Sequence, residues 1–282
     1  MTSFGVQGSS PLIGGVPDPS HFERIARAAE TAGFDSLWAS DHVAFHHPLL
    51  DVTVALATFA AVTDRIRIGA GVLLLPLREP ALVAREFASL DYVSGGRVIL
   101  GVGVGGEHPA DFEAVGVPVR ERGRRTDESM RMLRGLLAQE APAPAQPNGP
   151  PLWVGGRSDA AIRRARHLGD GWMPLWVSPE RYAEGLAEVG RERTAAVVLP
   201  SLVGGTTEEA RLYLSHRYGT EFSTHAVERY CIAGSEAHCA ERVAEYVAAG
   251  AEHVVFHPSV EHAGLEEQVE RLAGVVSVAA AR

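Results

Sequence analysis

Three short segments hold the residues best suited, by type and spacing, to do chemistry. The first is Ala39-Ser-Asp41-His42-Val-Ala-Phe45-His46-His47. A carboxylate and a histidine stand together there, directly after an apolar run. Such a histidine serves as base, acid or hydrogen-bond donor to a bound ring. The competing reading is that Asp41 caps a turn and the histidines are solvated. The second is Pro151-Leu-Trp-Val-Gly155-Gly156-Arg157-Ser158-Asp159-Ala-Ala-Ile162. An apolar run ends in two glycines, then Ser-Asp, then an Ala-rich helical pattern: strand, tight turn, helix N-terminus. A helix start offers unpaired backbone N–H groups and a positive dipole end. Glycines let a bulky anion come close, so the combination suits a phosphate. The same residues also suit an ordinary turn in which Ser or Asp caps the helix. The third is Gly101-Val-Gly103-Val-Gly105-Gly106-Glu107-His108-Pro109. This loop is glycine-rich, but no Lys-Ser/Thr follows, so it is not a P-loop. Glu107 and His108 are its candidates for meeting a substrate.

Six histidines (His42, His46, His47, His108, His253 and His257) raise the question of a metal. They are scattered, with no HxH or HExxH pattern, and no metal site is expected. The two cysteines, Cys231 and Cys239, lack CxxC spacing, which excludes a disulfide framework or a Cys-rich zinc site. A formal net charge of −9 argues against a nucleic-acid or membrane-surface binder. No apolar run reaches the ~18 residues of a membrane span. The first residues, Met1-Thr-Ser-Phe-Gly-Val, lack a basic region and a long apolar stretch, so a cytoplasmic protein is expected.

These residues need a scaffold to position them. Short apolar runs alternate with helical patterns along the chain. The runs at 4–7, 34–38, 66–75, 97–103, 152–154, 170–174, 195–203 and 253–257 predict strands. Helices are predicted over 21–32, 52–62, 79–93, 124–138 and 237–249, and from about Leu265 onward. In the first of these, Phe22, Ile25, Ala26 and Ala29 share a face and Gly33 is the C-cap. Eight strands with intervening helices imply a parallel (β/α)8 barrel in a chain of 282 residues. A doubly wound sheet is the rival, but it rarely needs eight units and its usual GxGxxG near the start is absent. Residues 141–151 are too rich in Pro for regular structure and read as a surface linker. Residues 206–229 are less regular and read as an insertion or a lid over the barrel mouth. A barrel of this kind builds its active site at the C-terminal ends of its strands, where all three segments begin. In the third strand, the glycine of Gly71-Val72 marks a bulge or a close approach by a ligand; simple strand termination before Pro76 is the competing reading.

With these residues assembled, the chain resembles the bacterial luciferase-like flavin and deazaflavin oxidoreductases. The resemblance covers nearly the whole chain. It is carried by Ala28-Ala-Glu30-Thr-Ala-Gly33-Phe34-Asp35-Ser36-Leu37-Trp38-Ala-Ser40-Asp41-His42, by Arg65 to Val72, and by Pro80 through Asp91. It continues through Gly95-Gly96-Arg97-Val98-Ile-Leu100-Gly101-Val-Gly103, Glu121-Arg122 with Asp127-Glu128, Gly155-Gly156 with Gly169-Asp170-Gly171-Trp172, and Tyr246 to Val255. The wording is most similar to the actinobacterial branch that uses the deazaflavin coenzyme F420. The resemblance implies a luciferase-like barrel domain spanning 1–282, with the cofactor ring in its mouth. It implies a non-prolyl cis peptide and bulge at about Gly71–Val72 behind that ring, with Gly103 lining the site. It places the phosphate grip at Gly155, Gly156, Arg157 and Ser158. His42 becomes the proton donor or base, Asp41 a ring-contacting partner, and Glu107 a catalytic candidate. The implied reaction is F420-dependent hydride transfer with a small organic substrate. The alternatives are an FMN-dependent monooxygenase using O2, and a non-catalytic flavin-binding protein. A homodimer, and a reductase supplying reduced cofactor, are expected by analogy. Sugar-phosphate dehydrogenases of the superfamily carry a Glu after strand four, where Gly106 stands here, and a Trp where this chain has His46. A less polar substrate is therefore expected, met by Phe45, Leu74, Trp172 and Trp176 near the mouth.

Overall fold

The computed structural model describes residues 2–140 and 142–280. Its strands are β1 (Ser3–Ser9), β2 (Ser36–Ala39), β3 (Arg67–Leu74), β4 (Val98–Gly103), β5 (Leu152–Gly155), β6 (Gly171–Met173), β7 (Thr194–Val203), β8 (Ile232–Gly234) and β9 (His253–Pro258). The helices are α1 (Ser20–Thr31), α2 (Val52–Val62), α3 (Pro80–Ser94), α4 (Pro109–Ala114), α5 (Arg122–Leu137), α6 (Asp159–Leu168), α7 (Pro179–Val189), α8 (Thr207–Tyr218), α9 (Thr224–Tyr230), α10 (Glu236–Ala248) and α11 (Leu265–Ala280). Strands β1 through β7 pair in chain order, β9 pairs with β7, and β9 returns to β1. Every pairing is parallel, so the sheet closes into the expected eight-stranded barrel. All eight sequence-predicted strands are present. The short β8 is additional, and pairs with the last residues of β7.

Parallel strands covered on both faces carry apolar residues on both, and side chains alternate between those faces. Val98, Leu100 and Val102 of β4 join the outer core under the helices, while Ile99 joins the inner one. The inner core is built from Trp38, Ile99, Trp153, Met173, Ala196 and Val255. The Trp38 and Trp153 rings lie 5.5 Å apart, and glycines on neighbouring strands make room for them. A Cβ on Gly69 would fall 2.4 Å from the Trp38 ring, and one on Gly171 would fall 2.8 Å from Trp153. Trp38 Nε1 donates to Ser36 Oγ (2.7 Å), which is 2.8 Å from His253 Nε2. This plug closes the N-terminal half of the barrel and leaves the C-terminal half to the site.

One region differs from the sequence expectation. Residues 206–229 are regular: they form α8 and α9, with a full capping box between Thr206 and Glu209. The linker at 141–151 has no helix or strand among its described residues, as expected, and Gln146 anchors it. Gln146 donates to Asp91 from its backbone N–H (2.8 Å) and its side-chain amide (2.7 Å). Ala141 lies outside the described residues.

Candidate active site

Above the tryptophan plug the barrel opens into a cavity of about 230 Å3. Val72, Met173, Leu175 and Val198 give it an apolar floor, and His42, Arg157, Arg217 and His257 stand among its polar walls. An outer vestibule of about 870 Å3 shares Glu107, His108, Arg157, Trp176 and Tyr218 with it.

The floor is set by an irregularity in β3. Its register on β4 slips between Ala70 and Leu73, and the Gly71–Val72 peptide bond is cis. Bulge and cis bond stand where the resemblance implies them. Val72 projects toward two glycines. A Cβ on Gly103 would lie 2.4 Å from one Val72 methyl, and one on Gly155 would lie 2.9 Å from the other. Gly103 and Gly155 are therefore glycine because Val72 fills the space beside them.

Asp41 and His42 are adjacent in sequence but have different surroundings. Asp41 is buried. One carboxylate oxygen accepts the Leu74 backbone N–H (2.9 Å) and the other accepts from Arg78 Nη2 (2.7 Å). It ties the end of β2 to the end of β3 while lining the cavity. His42 Nδ1 lies 2.8 Å from Asp111 Oδ2. Asp111 Oδ1 accepts the backbone N–H groups of Val43 and Ala44, each at 2.7 Å. Burial alone would raise the Asp111 pKa; the His42 hydrogen bond and the two N–H groups outweigh it and hold the carboxyl below its ordinary value. A carboxylate at Nδ1 keeps the proton there, so a neutral His42 presents the Nε2 lone pair.

Asp111 escaped the sequence reading, being 69 residues from His42. A signal existed. Pro109 followed by Asp111 marks the first turn of α4, with Pro at its first position.

Other histidines crowd the same corner. The His42 ring stacks on Phe45 (4.2 Å) and meets the edge of His108 (5.2 Å). Burial, and then the charge of His42, lowers the His108 pKa. Among the described residues no group of histidines, cysteines and carboxylates has the arrangement of a metal site. Glu107 is exposed at the rim, between cavity and vestibule.

At the end of β5, Gly156 has φ +98°, in the region that favours glycine. Its carbonyl accepts from Trp172 Nε1 at 2.9 Å. Ser158 caps α6 by accepting the Ala161 N–H. Arg157 is exposed on the cavity wall, with no hydrogen bond or ion pair among the described residues. Across the mouth, Trp176 takes φ +61° and packs against Phe222 (5.1 Å) and Tyr218 (6.0 Å). The apolar residues expected near the mouth divide. Leu74 and Trp176 line the cavity, and Phe45 stacks on His42. Trp172 does not belong there. Period-two alternation turns it to the outer face of β6, buried and stacked on Tyr182 (5.5 Å).

Residues 1–219 match the family described as luciferase-like monooxygenase. The chain belongs to that family. This luciferase-like oxidoreductase is 36% identical over 208 residues to an uncharacterized protein of Mycobacterium tuberculosis, a match covering 61% of this chain and 71% of that one. It is 29% identical over 187 residues to the 5,10-methylenetetrahydromethanopterin reductase of Methanolobus tindarius, across 59% of this chain and 56% of the reductase. Its fold is similar to that of a solved F420-dependent secondary alcohol dehydrogenase in complex with an F420–acetone adduct. The TM-score is 0.79 at 19% identity, over 97% of this chain and 99% of that one. Relatives by sequence include both F420-dependent oxidoreductases and monooxygenases. No helix among the described residues is long and apolar enough to cross a membrane.

Proposed function

We propose that the chain is a coenzyme F420-dependent oxidoreductase that moves a hydride to or from a small organic substrate. The observation that carries this reading is the His42–Asp111 pair at the cavity, 2.8 Å apart, because hydride transfer to or from a C–O or C–N bond requires a proton donor or acceptor beside it. The cavity fits a flat heteroaromatic cofactor with an anionic tail. Its floor is apolar, and two arginines that lack an anionic partner stand on its walls. When bound, the deazaflavin supplies a two-electron hydride carrier, while the protein orients and tunes it.

The chain's own residues divide the remaining work. Asp111 holds the His42 ring by Nδ1–H, and Nε2 takes a proton from a substrate hydroxyl or, when protonated, gives one to a carbonyl or imine. Asp41 braces β2 against the bulged β3 and fixes Val72 and Gly71 as the surface behind the ring. Gly155, Gly156, Arg157 and Ser158 hold the cofactor phosphate through backbone N–H groups and the free Arg157 charge. Glu107 faces incoming substrate at the rim. Trp176 and Tyr218 restrict water.

The family description favours a second reading: an FMN-dependent monooxygenase fed by a flavin reductase. Parallel titration of the apo-protein with F420 and FMN separates the two. F420 binding about tenfold tighter than FMN or better is the expected result. The reverse preference moves the assignment to the monooxygenase. Binding of neither removes the phosphate role of Gly155 to Ser158.

A further inference from the structure

Arg217 is the anomaly of the cavity. It lies in the last turn of α8 and is only 3% exposed. Two of its three guanidinium nitrogens, Nε and Nη1, are buried with no hydrogen-bond partner. Among the described residues it takes part in no ion pair. Its guanidinium carbon sits 5.5 Å from the centre of the Tyr218 ring, and its side chain is hydrogen-bonded to Tyr218. Burial raises the Tyr218 pKa, so its phenol stays neutral beside the arginine. His257 also has a buried Nε2 without a partner, and burial together with the Arg217 charge keeps its ring neutral. Of the acidic residues nearby, Glu221 reaches Arg211, and Glu107, whose charge acts on Tyr218, makes no ion pair among the described residues.

A buried arginine cannot relieve its cost by losing a proton. Each buried donor left unmade costs about 1–3 kcal/mol, and an unpaired buried charge costs more. Arg217 nevertheless lines the cavity, as does His257. It stands at the β7–β9 side of the barrel, whereas Arg157 stands at the end of β5. Two unpaired arginines thus serve two regions of one cavity.

We infer that Arg217, with the unpartnered His257 beside it, binds the carboxylate of an acidic substrate, while Arg157 is left to the cofactor. This rests on the proposed oxidoreductase reading and narrows it: the substrate is a small organic acid. Its remainder is apolar or aromatic, to match the vestibule walls of Trp176, Tyr218 and Phe222.

The test compares two probes of one shape, cinnamate and cinnamamide, titrated by calorimetry into wild type, Arg217→Met and Arg217→Lys. Wild type is expected to bind the anion at least about tenfold more tightly. Arg217→Met abolishes the preference, and Arg217→Lys restores part of it. The melting temperature of the Met variant equals or exceeds wild type, because an unpaired buried charge has been removed. Equal binding of both probes by wild type overturns the inference. So does a preference that survives in Arg217→Met with a lowered melting temperature, which makes the residue a packing element. Loss of F420 or FMN affinity in Arg217→Met, with the cinnamate preference intact, reassigns the residue to the cofactor's tail and also overturns it. Failure of wild type to bind either cofactor defeats the oxidoreductase reading alone, since the probe titrations need no cofactor.

Discussion

Strand β9 carries two histidines on its inward face, one at each end of the barrel, and they have opposite fates. His253, at the N-terminal end, has its Nε2 partnered. Its Nε2 meets Ser36 Oγ at 2.8 Å, and its ring lies against Trp153 (5.2 Å) and Trp38 (6.1 Å). His257, four residues on, has a buried Nε2 without a partner and lines the cavity beside Arg217. Both rings are kept neutral by burial, the first with its pKa pushed down to about 4. Only the first has a partner at Nε2. Polar satisfaction at the bottom and deficit at the top is the pattern expected of a barrel that spends one end on stability and the other on ligands.

The strongest way to break this comparison is to remove chemistry from the top without touching the bottom. His42→Ala is expected to lower kcat/KM by roughly 10²- to 10⁴-fold with any substrate the wild type turns over. Cofactor affinity and melting temperature should remain near wild type. Asp111→Asn should give an intermediate loss, mostly in kcat, because the ring loses its orienting carboxylate but keeps its place. Unchanged turnover in His42→Ala with intact cofactor binding would end the proton-transfer assignment and favour a non-catalytic flavin-binding protein.

Acid sharpens the comparison next. The unfolded chain protonates His253 near pH 6.5, whereas the folded ring resists down to about 4. Stability from this residue is complete above pH 6.5 and is lost progressively as pH falls toward 4, by roughly 3 kcal/mol in all. His257 acts with the same sign. Denaturation midpoints measured between pH 7 and 4.5 should therefore fall in the wild type and fall less in His253→Gln. His257→Gln should flatten the curve too, but unlike His253→Gln it should also disturb binding at the cavity. Two variants with identical binding would erase the distinction between the ends.

Much of this architecture was legible in the residues. Buried parallel strands announce themselves as runs such as Val98-Ile-Leu, and all eight were placed. Motifs that follow a strand locally, Asp41-His42 and Gly155 to Arg157, also stood out, because the barrel puts them on the cavity by topology alone. What stayed hidden is contact between distant segments. Asp111 meets His42 across 69 residues, and Arg217 looks like any surface arginine until α8 is seen to cover the mouth. Trp172 was misplaced because a three-residue strand gives too little alternation to show which face it uses. Helix α7 had its signals, Ser178 as N-cap and Pro179 behind it, but they followed a strand too short to frame them.

Glycine gives the finest discrimination between the ends. Gly69 and Gly103 each face a side chain 2.4 Å from where a Cβ would stand, yet the neighbours differ. Gly69 faces Trp38, a fully buried ring hydrogen-bonded to Ser36 and packed on Trp153. It has nowhere to go, so Gly69→Ala should cost about 1–3 kcal/mol of stability through overpacking and leave cofactor affinity alone. Gly103 faces a methyl of Val72, which is half-buried on the cavity floor and has open space on one side. Gly103→Ala should therefore shift Val72 into the cavity at little cost in stability and weaken cofactor binding. The same added methyl group then reads out as melting temperature at one end and as affinity at the other. If both variants lose stability alike and bind cofactor alike, Val72 is as rigid as the tryptophan plug, and the cavity floor belongs to the structural half of the barrel.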